Sequence, residues 1–254
     1  EKIRIVKDYM LPEILKDVGF TKEEIIIDEE EIIDIIETYT YEAGVRKLKE
    51  KLYELVREIN LLNIYHNNIT FPYHVKNKFI KKEIKNKPKV RVKKIADKPY
   101  VGLVNGLYAS TSGIGGLTII ECYKQPSERM LDLSMTGSQG DVMKESVQVA
   151  KTIAWSLLDS KKKDEYTSEE SKKKPFGIHI HTPEGAVPKD GPSAGAAMTL
   201  AIYSLLSGIP VKNNVAMTGE IDLSRNVRAI GGLSAKLNGA RRAGATLALI
   251  PKEN

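Results

Sequence analysis

The sequence predicts an α+β chain with a helical first part and a mixed α/β second part. Between Val45 and Ile59, apolar side chains recur at spacings of three and four, the pattern of an amphipathic helix. Further along, strand-like apolar runs such as Val101 to Leu107 alternate with helical ones. The expected boundaries are 1–66 for the helical part, 67–98 for a Lys- and Asn-rich linker with one strand, and 99–254 for the α/β domain.

Within the helical part, Pro12 is expected to break an early helix, because proline lacks the N–H that a helix interior needs. A short apolar helix face follows from Ile32 to Ile36. In the α/β part, a second strand covers Leu117 to Ile120, and a helix starts near Asp141. The elements expected after them are an exposed flexible loop over 160–174, a strand over 177–181, a helix over 194–206, a hairpin of 215–218 with 227–230 around the turn 224–226, a short helix to Ala243 and a strand over 247–250.

Composition excludes several classes of protein. The chain has 254 residues, 41% of them hydrophobic, which suffices for one large or two modest cores. The sequence contains no apolar run of membrane-spanning length and no signal-peptide pattern, so no membrane partner is expected. The single cysteine, Cys122, excludes an internal disulfide framework. Because the sequence starts at Glu1 and ends abruptly after an apolar run, we expect a piece of a longer protein whose C-terminus is incomplete.

A serine at the entrance of an apolar helix is the strongest candidate for chemistry. Ser193 follows Asp190, Gly191 and Pro192 and directly precedes the apolar run from Ala194. Backbone N–H groups and the positive end of the helix dipole converge at such a position. An acyl-transfer nucleophile needs an exposed hydroxyl with donors close to the developing oxyanion. The alternative is an ordinary helix cap.

A second element contains a lysine one turn into another short helix. Lys236 follows the Gly231-Gly232 pair and lies 236 − 193 = 43 residues beyond the serine. A lysine can take a proton from serine only when its amine is neutral, and burial favours the neutral form. The apolar residues Ile230 and Leu233 are its expected surroundings. Because the carboxylates of Asp190 and Glu220 would oppose neutralisation, we expect both to point away from it.

These segments resemble the ATP-dependent Lon proteases, which use a Ser-Lys dyad. The family pattern P-K-D-G-P-S-A-G is matched at every position from 188 to 195, and M-T-G-E (217–220) and I-G-G-L-x-x-K (230–236) follow at the family's spacing. The resemblance implies that Ser193 is the nucleophile and Lys236 the base, with Thr218 orienting the amine. It implies that backbone N–H groups from Gly191 to Ser193 hold the oxyanion.

The resemblance also covers weaker positions. Glu121 matches an acidic position near the family's active site, and residues 106–111 match, loosely, a segment that lines the substrate groove. Gln139 replaces the usual leucine, and Arg225 replaces a usual turn glycine, where Asn226 can adopt left-handed geometry instead.

Two histidines on one strand invite other interpretations. His179 and His181 share one face, with isoleucines opposite. A zinc site would need at least a third protein ligand, and the sequence has none near the two histidines, so no metal is expected. The pair could compete as the catalytic base, but the resemblance makes the histidines structural neighbours of the site.

The helical part resembles the small helical subdomain of an AAA+ ATPase module. The resemblance implies that Arg46 is the sensor-2 residue that contacts nucleotide phosphate, and the alternative is an ordinary surface arginine. The sequence contains neither a P-loop nor a strand that ends in paired acids, so this chain is not expected to hydrolyse ATP. The resemblance implies that the full-length protein uses ATP and Mg²⁺, and that the peptidase site itself requires no cofactor.

The resemblance implies an ATP-dependent serine endopeptidase of protein quality control, a homo-hexamer that degrades unfolded or damaged proteins in the mitochondrial matrix or, alternatively, in the bacterial cytoplasm. The net charge of +6 comes largely from lysines in 76–98 and 161–174. These stretches read as solvated loops, yet DNA is a possible partner. A second hypothesis is therefore a non-catalytic fragment that binds nucleic acid or a partner through the basic linker, and a third is a peptidase whose site is misaligned without the ATPase core.

Overall fold

The computed structural model divides into two units, Glu1–Arg91 and Val92–Asn254. It describes residues 1–40, 42, 44–66, 69–83, 93–110, 113–183 and 189–254. No helix in these ranges is both long and apolar enough to cross a membrane.

The first unit is helical, as predicted. Its helices are α1 (Lys2–Ile5), α2 (Leu11–Val18), α3 (Glu29–Ile35), α4 (Arg46–His66) and α5 (Asn77–Glu83), and two short parallel strands are β1 (Ile25–Ile26) and β2 (Tyr73–His74). The apolar face of α4 supplies Leu48, Leu52, Leu55 and Ile59 to the core, each with no exposed surface. Spacings of three and four keep these side chains on one side of the helix, which explains why it folds against its neighbours.

The expected break at Pro12 is wrong. A single π-helical turn, Val6–Met10, joins α1 directly to α2, and Pro12 lies in the first turn of α2. Proline cannot donate to the carbonyl four residues back and clashes with it, and a widened turn is a common way to relieve that conflict inside a continuous helix.

The described residues 69–83 form more secondary structure than the linker expected there. The stretch contains β2 and also α5, and the side chains of Val75 and Ile80 are fully buried in the first core. The lysines around them mask this apolar contribution in the sequence. Residues 67–68 and 84–92 lie outside the described part.

The second unit is built on a six-stranded mixed sheet. Its strands are β3 (Leu103–Ala109), β4 (Gly115–Pro126), β5 (Leu133–Thr136), β6 (Phe176–His181), β7 (Val215–Met217) and β10 (Leu247–Leu249), in the order β10-β7-β3-β4-β6-β5. β4 is antiparallel to both β3 and β6, whereas the other neighbours are parallel. This confirms the predicted α+β class.

Helices cover both faces of the sheet. They are α6 (Asp141–Leu157), α7 (Ser160–Thr167), α8 (Glu169–Lys173), α9 (Gly195–Ser207) and α10 (Leu233–Ala243). The main core packs α6 and α9 on one face, where Ile120, Cys122 and Ile180 have no exposed surface. A smaller core joins α10 to Leu107 and Leu117. Because side chains alternate along a strand, these two leucines lie on the opposite face of the sheet from Ile120 and Cys122.

The exposed flexible loop expected over 160–174 is instead helical. Asp159 and Ser168 cap α7 and α8 through their side chains. Tyr166 is 5% exposed and donates its hydroxyl to the Leu206 carbonyl at 2.7 Å. This one aromatic anchor fixes an otherwise charged segment to the main core, because its burial and its hydrogen bond offset the entropy of ordering the loop.

The predicted hairpin has a different first arm. β7 belongs to the large sheet, and the partner of β9 (Val227–Arg228) is β8 (Glu220–Ile221). The left-handed residue of its turn is Arg225, with φ of 67°, so the expectation for Asn226 is wrong. Asn226 instead donates its backbone and side-chain N–H groups to the Asp222 carboxylate at 2.9 and 3.2 Å.

Candidate active site

The candidate nucleophile lies in a tight turn that leads into α9. Pro192 to Ala194 form one turn of 3₁₀ helix, and Gly191 before them has φ of 114°, which suits glycine. The Ser193 carbonyl accepts hydrogen bonds from the Gly219 N–H at 2.8 Å and from the Thr218 hydroxyl at 3.1 Å. The turn that carries the serine is thus fixed to the segment between β7 and β8.

The candidate base is buried. Lys236 is 3% exposed, and its Nζ donates a hydrogen bond to Thr218 Oγ1 at 3.2 Å. Burial lowers the pKa of its ammonium group below the ordinary value, because the charged form loses solvation. Thr218 is 1% exposed and joins the two candidates, since it bonds the backbone of Ser193 and the side chain of Lys236.

Glycines set the height of Lys236 above the sheet. A Cβ added to Gly239 would lie 2.4 Å from the Gly116 nitrogen, and one added to Gly115 would lie 2.0 Å from the Ala235 carbonyl oxygen. Helix α10 therefore packs with its backbone directly on β4, closer than any side chain would permit. A glycine inside a strand indicates that another backbone approaches closely. The sequence alone does not indicate that the approaching backbone is that of α10.

One cavity brings the two candidates together. Its volume is about 770 Å³, and both Ser193 and Lys236 line it. The remaining lining residues are Lys93, Leu107, Tyr108, Ala109, Ser110, Leu117, Thr118, Met143, Lys189, Asp190, Gly191, Pro192, Ala194, Glu220, Ala229, Ile230, Gly231 and Gly232. Leu107 to Ser110 come from the segment expected to line a substrate groove, and Thr111 of that segment lies outside the described residues. A mostly apolar cavity with a hydroxyl and a buried amine is suited to covalent chemistry on an acyl group.

The Asp190 carboxylate has a structural partner. Its Oδ1 accepts hydrogen bonds from the Met143 N–H and the Gly191 N–H, both at 2.9 Å. It thus caps the N-terminus of α6, where a negative charge is stabilised by the helix dipole. This capping contact spans 47 residues, so the sequence around Asp190 has no local signal of it.

The two histidines are hydrogen-bonded to the same threonine, and neither of them lines the cavity. Thr136 Oγ1 contacts His179 Nε2 at 2.8 Å and His181 Nδ1 at 2.7 Å. Glu121 pairs with His181 across β4 and β6 and likewise is not among the lining residues. Across the described ranges, no three His, Cys, Asp or Glu side chains are grouped so that they could hold a metal ion.

Arg46 belongs to the first unit. It is the first residue of α4, its side chain is 91% exposed, and its Nε lies 3.4 Å from Glu50 Oε1. An exposed guanidinium with one weak intrahelical ion pair is available to a larger anion.

Comparisons with known proteins find relatives for both units of the chain. Residues 74–254 match the Lon protease (S16) C-terminal proteolytic domain, and residues 16–67 match the Lon protease AAA+ ATPase lid domain. The chain is similar over its whole length to Lon protease 1 of Bacillus subtilis (strain 168) (41% identity) and to a Lon protease of Clostridioides difficile (strain 630) (40% identity), and it covers 31% of each. It is also 35% identical to the "Lon protease homolog, mitochondrial" of Drosophila melanogaster, of which it covers 25%.

The chain thus spans about a third of the length of curated relatives that match all of it. Its two matched regions follow each other in the order lid, then proteolytic domain, and together they account for most of the sequence. On these matches, the chain belongs to the Lon protease family.

Proposed function

We propose that the second unit hydrolyses peptide bonds with Ser193 as nucleophile and Lys236 as general base. The observation that carries the proposal is one cavity lined by a serine hydroxyl and a buried lysine whose pKa is lowered. Neither group is reactive alone, because serine needs a base and lysine is a base only when neutral. Thr218 is the residue that orients the amine, through the bond that it accepts from Nζ.

Peptide hydrolysis proceeds in two steps, the formation of an acyl ester on Ser193 and the hydrolysis of that ester. Ser193 Oγ attacks the peptide carbonyl carbon while its proton passes to Lys236 Nζ, and Lys236 then gives that proton to the leaving amine as the C–N bond breaks. Water next attacks the acyl ester and loses a proton to Lys236, and the proton returns to Ser193 when the ester bond breaks. Hydrogen bonds between such groups commonly tighten only once substrate is bound.

The oxyanion donor is the backbone N–H of Ser193. Of the segment Gly191 to Ser193, Pro192 has no N–H, and the Gly191 N–H already donates to Asp190 Oδ1 at 2.9 Å. The Ser193 N–H remains as the donor of this segment, and the neighbouring helix dipole of α9 has the right sign to support it.

The natural substrates would be unfolded or damaged proteins, degraded by a hexamer with ATP and Mg²⁺. The lid-domain match supports a role in a longer ATPase, where Arg46 contacts the nucleotide phosphates. We place the protein in the mitochondrial matrix, with the bacterial cytoplasm as the alternative, since relatives of both origins align with it.

A purely nucleic-acid-binding fragment is not favoured. Most of the basic linker lies within residues 74–254, which match a proteolytic domain. In the other lysine-rich segment, 160–174, Lys162 pairs with Glu165 at 2.9 Å and Lys172 pairs with Glu169, so the charge of that segment is partly neutralised. DNA remains a possible additional partner of the whole protein, to be tested by the salt dependence of binding.

Hydrolysis of an unstructured fluorogenic peptide between pH 6 and 10 tests the dyad. We expect activity to rise with pH as Lys236 loses its proton, and to disappear in Ser193→Ala and Lys236→Ala. Lys151→Ala is the matched control, because Lys151 is a half-buried lysine whose Nζ donates to the Leu131 carbonyl at 3.4 Å and which does not line the cavity. Activity that survives Lys236→Ala would rule out the lysine base and direct attention to His179 and His181.

A further inference from the structure

The amide side chain of Asn254 pairs with both backbone groups of one residue in the cavity wall. Its Nδ2 donates to the Ile230 carbonyl at 2.9 Å, and its Oδ1 accepts from the Ile230 N–H at 2.8 Å. The amide of an asparagine has an N–H donor and a carbonyl acceptor side by side on one planar group. The contact therefore imitates the pair of bonds that a neighbouring strand would make.

The residue that Asn254 holds belongs to a segment of little inherent rigidity. Ala229, Ile230, Gly231 and Gly232 all line the cavity, and they lie between the end of β9 and the start of α10. Two consecutive glycines give this cavity wall wide backbone freedom. Its position against a substrate thus depends on external bonds such as those from Asn254.

The segment from which Asn254 reaches is itself well fixed. The Thr218 N–H donates to the Leu249 carbonyl at 3.1 Å, Pro251 is buried, and the Asn254 N–H closes a turn on the Pro251 carbonyl at 3.3 Å. Thr218 is the residue that bonds both Ser193 and Lys236, so Asn254 extends from the same framework as the dyad.

The Lys236 N–H donates to the Gly232 carbonyl at 3.0 Å, but the position of Lys236 is set mainly by other contacts. The backbone of α10 rests on β4 at Gly115, Gly116 and Gly239, as described above. Loss of the Asn254 bonds would release the wall, whereas the lysine would stay in place. Binding of substrate would therefore suffer without a change in the protonation of the base.

We propose that Asn254 is a positioning residue that holds the wall formed by residues 229–232 against the peptide substrate. The proposal rests on the proposed peptidase function, because it assumes that a peptide occupies the cavity.

Peptide affinity in a Ser193→Ala background tests the proposal without catalysis. A fluorescently labelled unstructured peptide is titrated with the 254-residue chain, and Kd is measured by anisotropy. We expect Asn254→Ala to weaken binding about tenfold, as the loss of one or two hydrogen bonds implies. Asn254→Asp, of the same size, loses the donor and sets a carboxylate oxygen against the Ile230 carbonyl, and it should weaken binding at least as much.

Asn214→Ala is the matched control. Asn214 is half-buried and its side chain donates to Thr246 Oγ1 at 2.7 Å, but it is not among the cavity-lining residues, so its loss should leave Kd unchanged. A purely structural role of Asn254 would lower Tm and leave Kd at the parent value. That outcome overturns the proposal. So does a peptide that binds neither the Ser193→Ala chain nor the same chain with Asn254→Ala.

With Ser193 intact, Asn254→Ala should raise KM about tenfold and leave the pH dependence of kcat as in the parent. A shifted pH profile would mean that the residue acts on Lys236 and would contradict the assignment to the wall. If Asn254 affects binding but the parent cleaves no peptide, the catalytic proposal fails and the positioning role stands.

Discussion

Replacing Gly239 by alanine tests how the lysine is positioned. The new Cβ would lie 2.4 Å from the Gly116 nitrogen and 2.5 Å from the Gly115 carbonyl carbon. Both atoms belong to the central strand β4, so neither can move as the end of a flexible side chain would. Helix α10 must rise from the sheet instead.

The size of the shift follows from these distances. An ordinary contact begins at 3.4 Å, so the helix must move by about 3.4 − 2.4 = 1.0 Å. Lys236 lies three residues earlier, on the same side of the helix, and its Nζ would leave hydrogen-bond range of Thr218, which is now 3.2 Å away. A misplacement of about 1 Å can lower a rate about 100-fold, and overpacking costs about 1–3 kcal/mol of stability.

Peptide hydrolysis and thermal unfolding measure the two effects. We expect kcat of Gly239→Ala to fall about 100-fold, with a lowered Tm. Gly44→Ala is the control, because a Cβ there meets no atom within 4 Å. Parental kcat in a folded Gly239→Ala protein would show that close packing of α10 does not set the position of the base, and the reasoning would be refuted.

Two further predictions concern stability. Because burial lowers the pKa of Lys236 in the folded state, the unfolded state binds more protons between that pKa and about 10.4, the ordinary value. At pH values below this window, Lys236→Met should therefore raise the free energy of unfolding by about 1.4 kcal/mol for each pH unit between the two pKa values, and Tm should rise with it. The gain should shrink as pH rises through the window. Thermal unfolding scans from pH 6 to 10 that show no gain at low pH would contradict this. Arg225→Gly should stabilise the chain by about 1 kcal/mol, because the turn holds this residue at φ of 67°. Denaturant unfolding measures the change, and Arg225→Ala, which keeps a Cβ, should bring no such gain.

The sequence predicted candidate residues for the site, but it did not predict the contacts that hold them. The helices over 141–157 and 233–243 and the strand of His179 were predictable, because each has a clear apolar period or alternation. That Ser193 and Lys236 share a cavity could be predicted only from the resemblance of whole motifs, because a spacing of 43 residues carries no geometric information by itself.

The remaining contacts are tertiary and have no local signal. Asp190 caps a helix that begins 49 residues earlier, at Asp141, and Tyr166 orders a charged segment by reaching the core. The close approach at Gly115 and Gly239 requires knowing which helix crosses which strand. In each case a polar or small residue that reads as surface or turn acquires its role from a distant partner.

The hydroxyl of Thr218 has a stereochemical consequence for proton transfer. Its single proton is committed to the Ser193 carbonyl, so towards Lys236 it acts as an acceptor only. A neutral amine has two N–H bonds and one lone pair, arranged tetrahedrally. Once one N–H is directed at the threonine, the lone pair must point elsewhere, and rotation about the Cε–Nζ bond is restricted to a few orientations. The backbone carbonyl of Ser193 thereby limits the directions in which the lone pair of the Lys236 amine can receive a proton.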